Sequence, residues 1–239
     1  MGKDHASAPW EGIFERGMRA QLNAWRQRLA AGEQRVGWKM GYMDSAVRTR
    51  LGLPHPLVGF LTSGRLVPDG GVLRHPSPTH LLAESEVALR LGRDLAPGCT
   101  PTEAAAAIDA LAPALEIVDV SQPLEDTLEI IAGNLFHAAV ALGAPRAVDL
   151  RASWPDITGG LWVNAMPRGT LDPASLLQNP GALLAQVAYL LGQVGVGLSA
   201  GDWIITGSVV KPSWVQAGDE VVVDMGALGR VALRIDHDG

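Results

Sequence analysis

Residues 82–89 read Leu82-Ala83-Glu84-Ser85-Glu86-Val87-Ala88-Leu89. Short alternation among apolar neighbours predicts a strand, because successive strand side chains point to opposite faces. Glu84 and Glu86 then share one face, about 7 Å apart along the backbone. A second apolar stretch, Ala114-Leu115-Glu116-Ile117-Val118-Asp119-Val120, sets Glu116 in similar surroundings. Burying a lone carboxylate costs several kcal/mol, and neutralisation is its usual escape. A hard divalent cation such as Mg2+ or Mn2+ resolves the conflict, because it takes carboxylate oxygens. Glu-x-Glu alone also fits plain surface charge on an edge strand. The third glutamate, in an apolar strand, argues against that. An ion held by three carboxylates keeps three octahedral positions for water and a bidentate, oxygen-rich ligand.

Upstream, Val36-Gly37-Trp38-Lys39-Met40-Gly41-Tyr42 alternates cleanly. Val36, Trp38, Met40 and Tyr42 take one face; Gly37, Lys39 and Gly41 take the other. The two glycines are expected to leave open space beside the Lys39 ammonium for a ligand; a lysine snorkelling at a strand edge is the alternative. Before this strand, Phe14, Met18, Leu22, Trp25 and Leu29 form one apolar stripe and predict a helix over Pro9 to Ala31, closed by Gly32. Arg16, Arg19, Arg26 and Arg28 lie off that stripe, as a solvated face.

Residues 43–80 hold five prolines and several glycines, which indicates loops and short strands. Thr100-Pro101-Thr102-Glu103 is a capping box predicting a helix to about Ala112. Asp126-Thr127-Leu128-Glu129 is another, predicting a helix through Leu142 and closed by Gly143. On that helix His137 and Asn134 occupy a polar face. Asn179-Pro180 opens a helix ended by Gly195. Two turns, Ala200-Gly201-Asp202 and Ala217-Gly218-Asp219, each feed an apolar strand. The sum is an α+β fold: many short strands in a rolled or barrel-like sheet with a few helices outside. Doubly wound strand–helix alternation and a phosphate-binding glycine loop are both missing.

Composition narrows the function. The chain has 239 residues, 47% hydrophobic and 18% charged, which is globular. A net charge of -6 gives no support for a nucleic-acid or anionic-membrane partner. The single cysteine, Cys99, forms no internal disulfide and suits a reducing cytoplasm. The first seven residues lack the apolar core of a signal peptide, and no stretch is long and apolar enough to span a bilayer. The expectation is therefore a cytoplasmic chain with no membrane partner. His80, shortly before Glu84, fits either a group that orients a carboxylate or binds substrate, or an ordinary loop histidine. His55 and His75 sit in proline-rich loops and carry no specific signal.

Four segments in order now become recognisable: Gly37-Trp38-Lys39-Met40-Gly41, Ala83-Glu84-Ser85-Glu86-Val87-Ala88, Pro113-Ala114-Leu115-Glu116-Ile117-Val118-Asp119 and Ala200-Gly201-Asp202-Trp203-Ile204-Ile205-Thr206-Gly207-Ser208. Together they resemble the 2-keto-4-pentenoate hydratase and 4-oxalocrotonate decarboxylase branch of the fumarylacetoacetase superfamily, from about residue 10 to the end. The resemblance implies a mixed β-roll of the fumarylacetoacetase C-terminal type with peripheral helices. It divides the chain into an N-terminal helical segment, 1–35, and a metal-binding β-roll, 36–239. It implies Mg2+ or Mn2+ on Glu84, Glu86 and Glu116, with Lys39 as the catalytic acid/base or charge partner. Thr206, Gly207 and Ser208 are expected to bind substrate, as are His80 and Ser63. It also implies homo-oligomers, dimeric or larger.

The activity implied is a hydratase-type lyase of aromatic catabolism, acting on a small 2-oxo (2-hydroxydienoate) acid through a metal-chelated enolate. A decarboxylase or an acylpyruvate C–C hydrolase shares that chemistry. The hydrolase calls for a histidine–glutamate pair near the N-terminus, which is not evident. A repurposed, non-catalytic member is a further alternative. Two departures stand out: Leu61-Thr62-Ser63-Gly64-Arg65 replaces Leu-Thr-Asp-Gly-Met, and Ala132-Gly133-Asn134-Leu135-Phe136 replaces Ala-Asp-Asn-Ala-Ser. Both remove polar groups that steer a proton or a water. Lys211, soon after the Gly-Ser turn, is a third oddity.

Overall fold

The chain folds around two mixed β-sheets that share one apolar core. The computed structural model describes residues 9–77, 79–122, 125–148, 157–171 and 179–238. The expectations on residues 1–7 therefore lie outside the described residues.

The elements run α1 Pro9–Ala30, β1 Arg35–Gly41, α2 Ser45–Leu51, β2 Leu57–Thr62, a 3-10 turn Ser63–Arg65, β3 Gly71–His75 and β4 Leu81–Leu91. Then follow α3 Pro101–Ala105, β5 Ile108–Asp119, α4 Thr127–Ala132, β6 His137–Leu142 and β7 Arg146–Ala147. The last part holds β8 Ile157–Val163, β9 Met166–Thr170, α5 Pro180–Gly192, β10 Trp203–Ile205, β11 Ser213–Val215, β12 Glu220–Gly226 and β13 Arg230–His237. The larger sheet has the order β2-β1-β10-β4-β5-β6, with β11 on β4 and β7 on β5; the smaller has β3-β13-β12-β8-β9. The pairs β1·β10 and β13·β3 are parallel. The fold is α+β, as the sequence predicts.

Helix α1 follows its stripe. Phe14, Met18, Leu22 and Trp25 are buried in the common core with Trp38 and Ile131. Each fully buried side chain of this kind contributes about 1.5–3 kcal/mol. A buried amide ties the helix down: Gln21 Nε2 donates to Val58 O at 3.1 Å and Ile131 O at 2.7 Å. The two Gly-Asp turns are also alike. Asp202 accepts from Ser199 N at 2.8 Å and Asp219 from Gln216 N at 2.9 Å, so each carboxylate closes its own turn before a strand.

Two helices are shorter than their caps suggest. The Thr100 capping box forms, with Thr100 N donating to Glu103 Oε2 at 2.8 Å and Glu103 N to Thr100 Oγ1 at 3.2 Å. The helix nevertheless ends before Ile108, and residues 108–112 open β5. Those residues pair with Leu91 to Ala88 of β4, and tertiary pairing overrides the helical preference of alanines. Asp126 caps α4, which stops at Ala132 instead of running to Leu142. Asn134, Leu135 and Phe136 then all take left-handed backbones, with φ of 60°, 54° and 62°. This turn sends the chain back as β6 along β5. His137 consequently lies on a strand, not on a helix face.

Candidate metal centre

The register of the β4–β5 pair builds the site. Glu84 lies directly opposite Glu116, and Glu86 is two residues along the same face. Like charges directly opposite in an antiparallel pair destabilise it. Glu86 and Glu116 are fully buried and Glu84 half-buried. One carboxylate oxygen from each of the three lies within 4.8 Å of the others.

Each buried carboxylate has one oxygen satisfied and one left over. Glu86 Oε2 accepts from Gly207 N at 2.6 Å. Glu116 Oε1 accepts from Lys39 Nζ at 2.5 Å and from His137 Nδ1 at 2.6 Å. Glu86 Oε1 and Glu116 Oε2 have no partner among the described residues. Buried polar oxygens are rarely orphaned unless an ion or water is expected there. The donor set, three carboxylates with two unsatisfied oxygens, fits a hard divalent cation.

The electrostatics agree. Burial, then the neighbouring Glu116 charge, pushes Glu84 up to about 7. Glu86 is driven well above the ordinary carboxylate range by burial, and by Glu116 and Glu84 beside it. Burial also works against Glu116, but the Lys39 charge and the His137 hydrogen bond hold it below that range. Burial lowers His137, which favours neutral imidazole; its Nδ1–H then donates to Glu116, and Nε2 is left without a partner.

Lys39 is anchored between Glu116 and Leu135 O, the latter at 3.2 Å. Of the two glycines beside it, Gly37 leaves no ligand space. A side chain at Gly37 would meet Trp203 O at 1.9 Å, because β10 runs alongside; at Gly41 it would meet Leu135 Cδ1 at 3.2 Å. The open volume is a cavity of about 590 Å3 lined by Lys39, Gly41, Tyr42, Glu84, Gly207 and Ser208 among others. Lys211 also lines it.

The remaining expected residues divide. Gly207, with φ of 89°, turns its amide onto Glu86. Ser208 Oγ donates to Val210 O at 2.5 Å. Thr206 is buried, its hydroxyl donating to Val87 O at 3.0 Å, so it ties the turn to β4. His80 is exposed with Nδ1 3.0 Å from Thr79 Oγ1, and Ser63 Oγ accepts from Gln34 N at 2.8 Å. Neither His80 nor Ser63 lines the cavity, and the structure does not bring them to the three glutamates.

Residues 37–236 match the fumarylacetoacetate (FAA) hydrolase C-terminal family. The chain belongs to that family. Within it, the chain is 30% identical over 216 residues to 4-oxalocrotonate decarboxylase of Pseudomonas putida, spanning 87% of this chain and 80% of the relative. It is 28% identical over 225 residues to 2-hydroxyhexa-2,4-dienoate hydratase of Comamonas testosteroni, spanning 89% and 83%. The 4-oxalocrotonate decarboxylase from Pseudomonas putida G7, solved with calcium and acetate, superposes with a TM-score of 0.83 at 29% identity, over 93% of this chain and 85% of that one. The same enzyme with magnesium and adipate gives 0.81 at 25% identity, over 96% and 99%.

His137 is the site residue that sequence reading misses. An Ala-Gly-Asn end to α4 was the available signal: Gly133 and Asn134 are the residue types that stop helices. Stopping there turns His137-Ala138-Ala139-Val140-Ala141-Leu142 into a strand beside Glu116. Asn134 itself holds β2, accepting from Phe60 N at 2.7 Å and donating to Phe60 O at 3.0 Å.

Proposed function

We propose that this protein is a metal-dependent hydratase-type lyase acting on a small 2-oxo (2-hydroxydienoate) acid. The observation that carries the reading is the convergence of Glu84, Glu86 and Glu116 on one point, with two buried oxygens unpartnered. Glu84, Glu86 and Glu116 would hold Mg2+ or Mn2+. Such an ion supplies Lewis-acid stabilisation of the negative charge that builds on a 2-oxo acid as it enolises.

The chain's own groups do the rest. Lys39 Nζ sits on Glu116 at the cavity wall, where it holds or delivers a proton to the substrate carbon skeleton. His137 and Lys39 together occupy Glu116 Oε1, which fixes the carboxylate with Oε2 free. The Gly207 amide does the same for Glu86. Apolar walls, Met43, Leu82, Val118 and Val209 among them, exclude water from the enol.

Decarboxylation is the second reading, favoured by the 30% identity to 4-oxalocrotonate decarboxylase. Both reactions draw on the same enolate stabilisation. An ultraviolet assay with 2-hydroxypenta-2,4-dienoate and 4-oxalocrotonate, with and without Mg2+, separates them. Mg2+-dependent loss of the dienol signal without CO2 supports hydration; CO2 release supports decarboxylation; no turnover of either removes both. The same reading takes residues 1–35 as an N-terminal helical segment and 36–239 as the catalytic unit, supported by the family match over 37–236. It also takes the protein as a cytoplasmic homo-oligomer, to which exposed Trp214 and Met166 lend apolar surface.

A further inference from the structure

Six non-glycine residues among those described have left-handed backbones: Tyr42, Asn134, Leu135, Phe136, Asn164 and Ala165. Asn164 and Ala165 form the tight turn of the β8–β9 hairpin, where such angles are ordinary. The other four gather around the cavity, and Tyr42, Leu135 and Phe136 line it. For a bulky aromatic residue, φ of 60° is strained, and strain of this kind collects where function holds it.

Tyr42 is held there by identifiable contacts. Arg48 Nη1 donates to the carbonyls of Tyr42 at 2.8 Å and Met43 at 2.5 Å. Asp44 then caps α2, accepting from Ala46 N at 2.7 Å. The bend between β1 and α2 is thus fixed at both its carbonyls and its first helical amides. Its effect is to place Tyr42 on the cavity wall, one residue after β1 ends at Gly41.

Of the other polar side chains on the cavity wall, three are committed, while Lys211 is solvent-exposed. Lys39 is bound to Glu116 and Leu135 O, Ser208 to Val210 O, and Asp44 to α2. The Tyr42 phenol makes no hydrogen bond among the described residues, and Tyr42 lines the same cavity as Glu84. A phenol donates a hydrogen bond throughout the neutral range.

We infer that Tyr42 is a substrate-contacting residue whose hydroxyl donates a hydrogen bond to an oxygen of the 2-oxo acid beside Glu84. The inference rests on the proposed lyase reading and adds to it a donor that keeps its proton through the reaction. The left-handed bend exists to present that donor.

The test is isothermal titration of oxalate, a small dianion with adjacent oxygens, into the full-length Mg2+-loaded protein and its Tyr42→Phe variant. A parallel Mn2+ titration and a thermal melt are run on both. Phenylalanine keeps the ring and the bend, so the melt and the Mn2+ affinity stay the same. Oxalate affinity falls about 10–100-fold, the worth of a hydrogen bond to a charged group. Equal oxalate affinity in the two proteins overturns the role of Tyr42 and leaves the lyase reading standing. Failure of the Mg2+-loaded wild type to bind oxalate overturns both.

Discussion

Strand β12 of the smaller sheet alternates between buried and more open positions along its whole length, and its buried positions are Val221, Val223 and Met225. Strand β4 of the larger sheet is almost continuously buried, and on one face it carries Glu84 and Glu86 opposite Glu116. In the smaller sheet β12 keeps the ordinary alternation of a half-buried strand. The larger sheet breaks ordinary rules together: like charges face each other, carboxylate oxygens go unpartnered, and left-handed residues line the cavity. Stability and chemistry are thereby separated within one core, and the separation can be tested by perturbing each sheet and asking which property moves.

The largest effect is expected from Lys39→Met in the larger sheet. Loss of the proposed acid/base group lowers kcat by about 10²–10⁴-fold. The metal-free variant also melts earlier, because Glu116 loses a charged partner in a buried pair. Steady-state kinetics and melts with and without Mg2+ check both. In the smaller sheet, Leu233→Ala creates a cavity at a fully buried position and costs about 2–5 kcal/mol in urea denaturation. Its Mn2+ affinity stays at the wild-type value. A Leu233 variant that lost metal, or a Lys39 variant that kept full turnover, would dissolve the contrast.

Smaller effects sharpen it. His137→Phe removes a hydrogen bond that fixes Glu116, and Mn2+ affinity should drop about 10–100-fold in a fluorescence or calorimetric titration. His137→Asn, which retains a donor, should recover most of it. The smallest effect is on pH. Glu84 rises from 4.5 to about 7 in the folded, metal-free chain, so the fold binds that proton more tightly than the unfolded chain does. The associated stability is present below about pH 4.5 and is lost as pH climbs through about 7. Melting temperatures of chelated protein should therefore decline from about pH 5 to about pH 8. Mg2+ should blunt the decline, because the ion replaces the protons.

Much of this was legible in the residues. Two strands with charges in apolar runs gave the three-carboxylate cluster, and the Gly-Asp turns gave the starts of β10 and β12. The stripe of Phe14, Met18, Leu22 and Trp25 gave α1 to within a residue of its end. What was hidden has a common cause. Residues 108–112 and 137–142 are alanine-rich, and alanine fits a helix locally while a neighbouring strand decides otherwise. The turn was hard to read beyond Asn134, because its next two left-handed backbones fall on Leu135 and Phe136, which do not favour them. With that turn unread, His137 could not be placed beside Glu116, and Gly37 was credited with a space that β10 fills.

The ion site itself admits one direct measurement: a Mn2+ titration, followed by electron paramagnetic resonance, of the wild type and of Glu84→Gln, Glu86→Gln and Glu116→Gln. One ion bound per chain in the wild type, with affinity reduced at least 100-fold in each variant, is the result required by three carboxylates sharing a single cation. Full Mn2+ affinity in any of the three variants would remove that residue from the ligand set, and full affinity in all three would end the account.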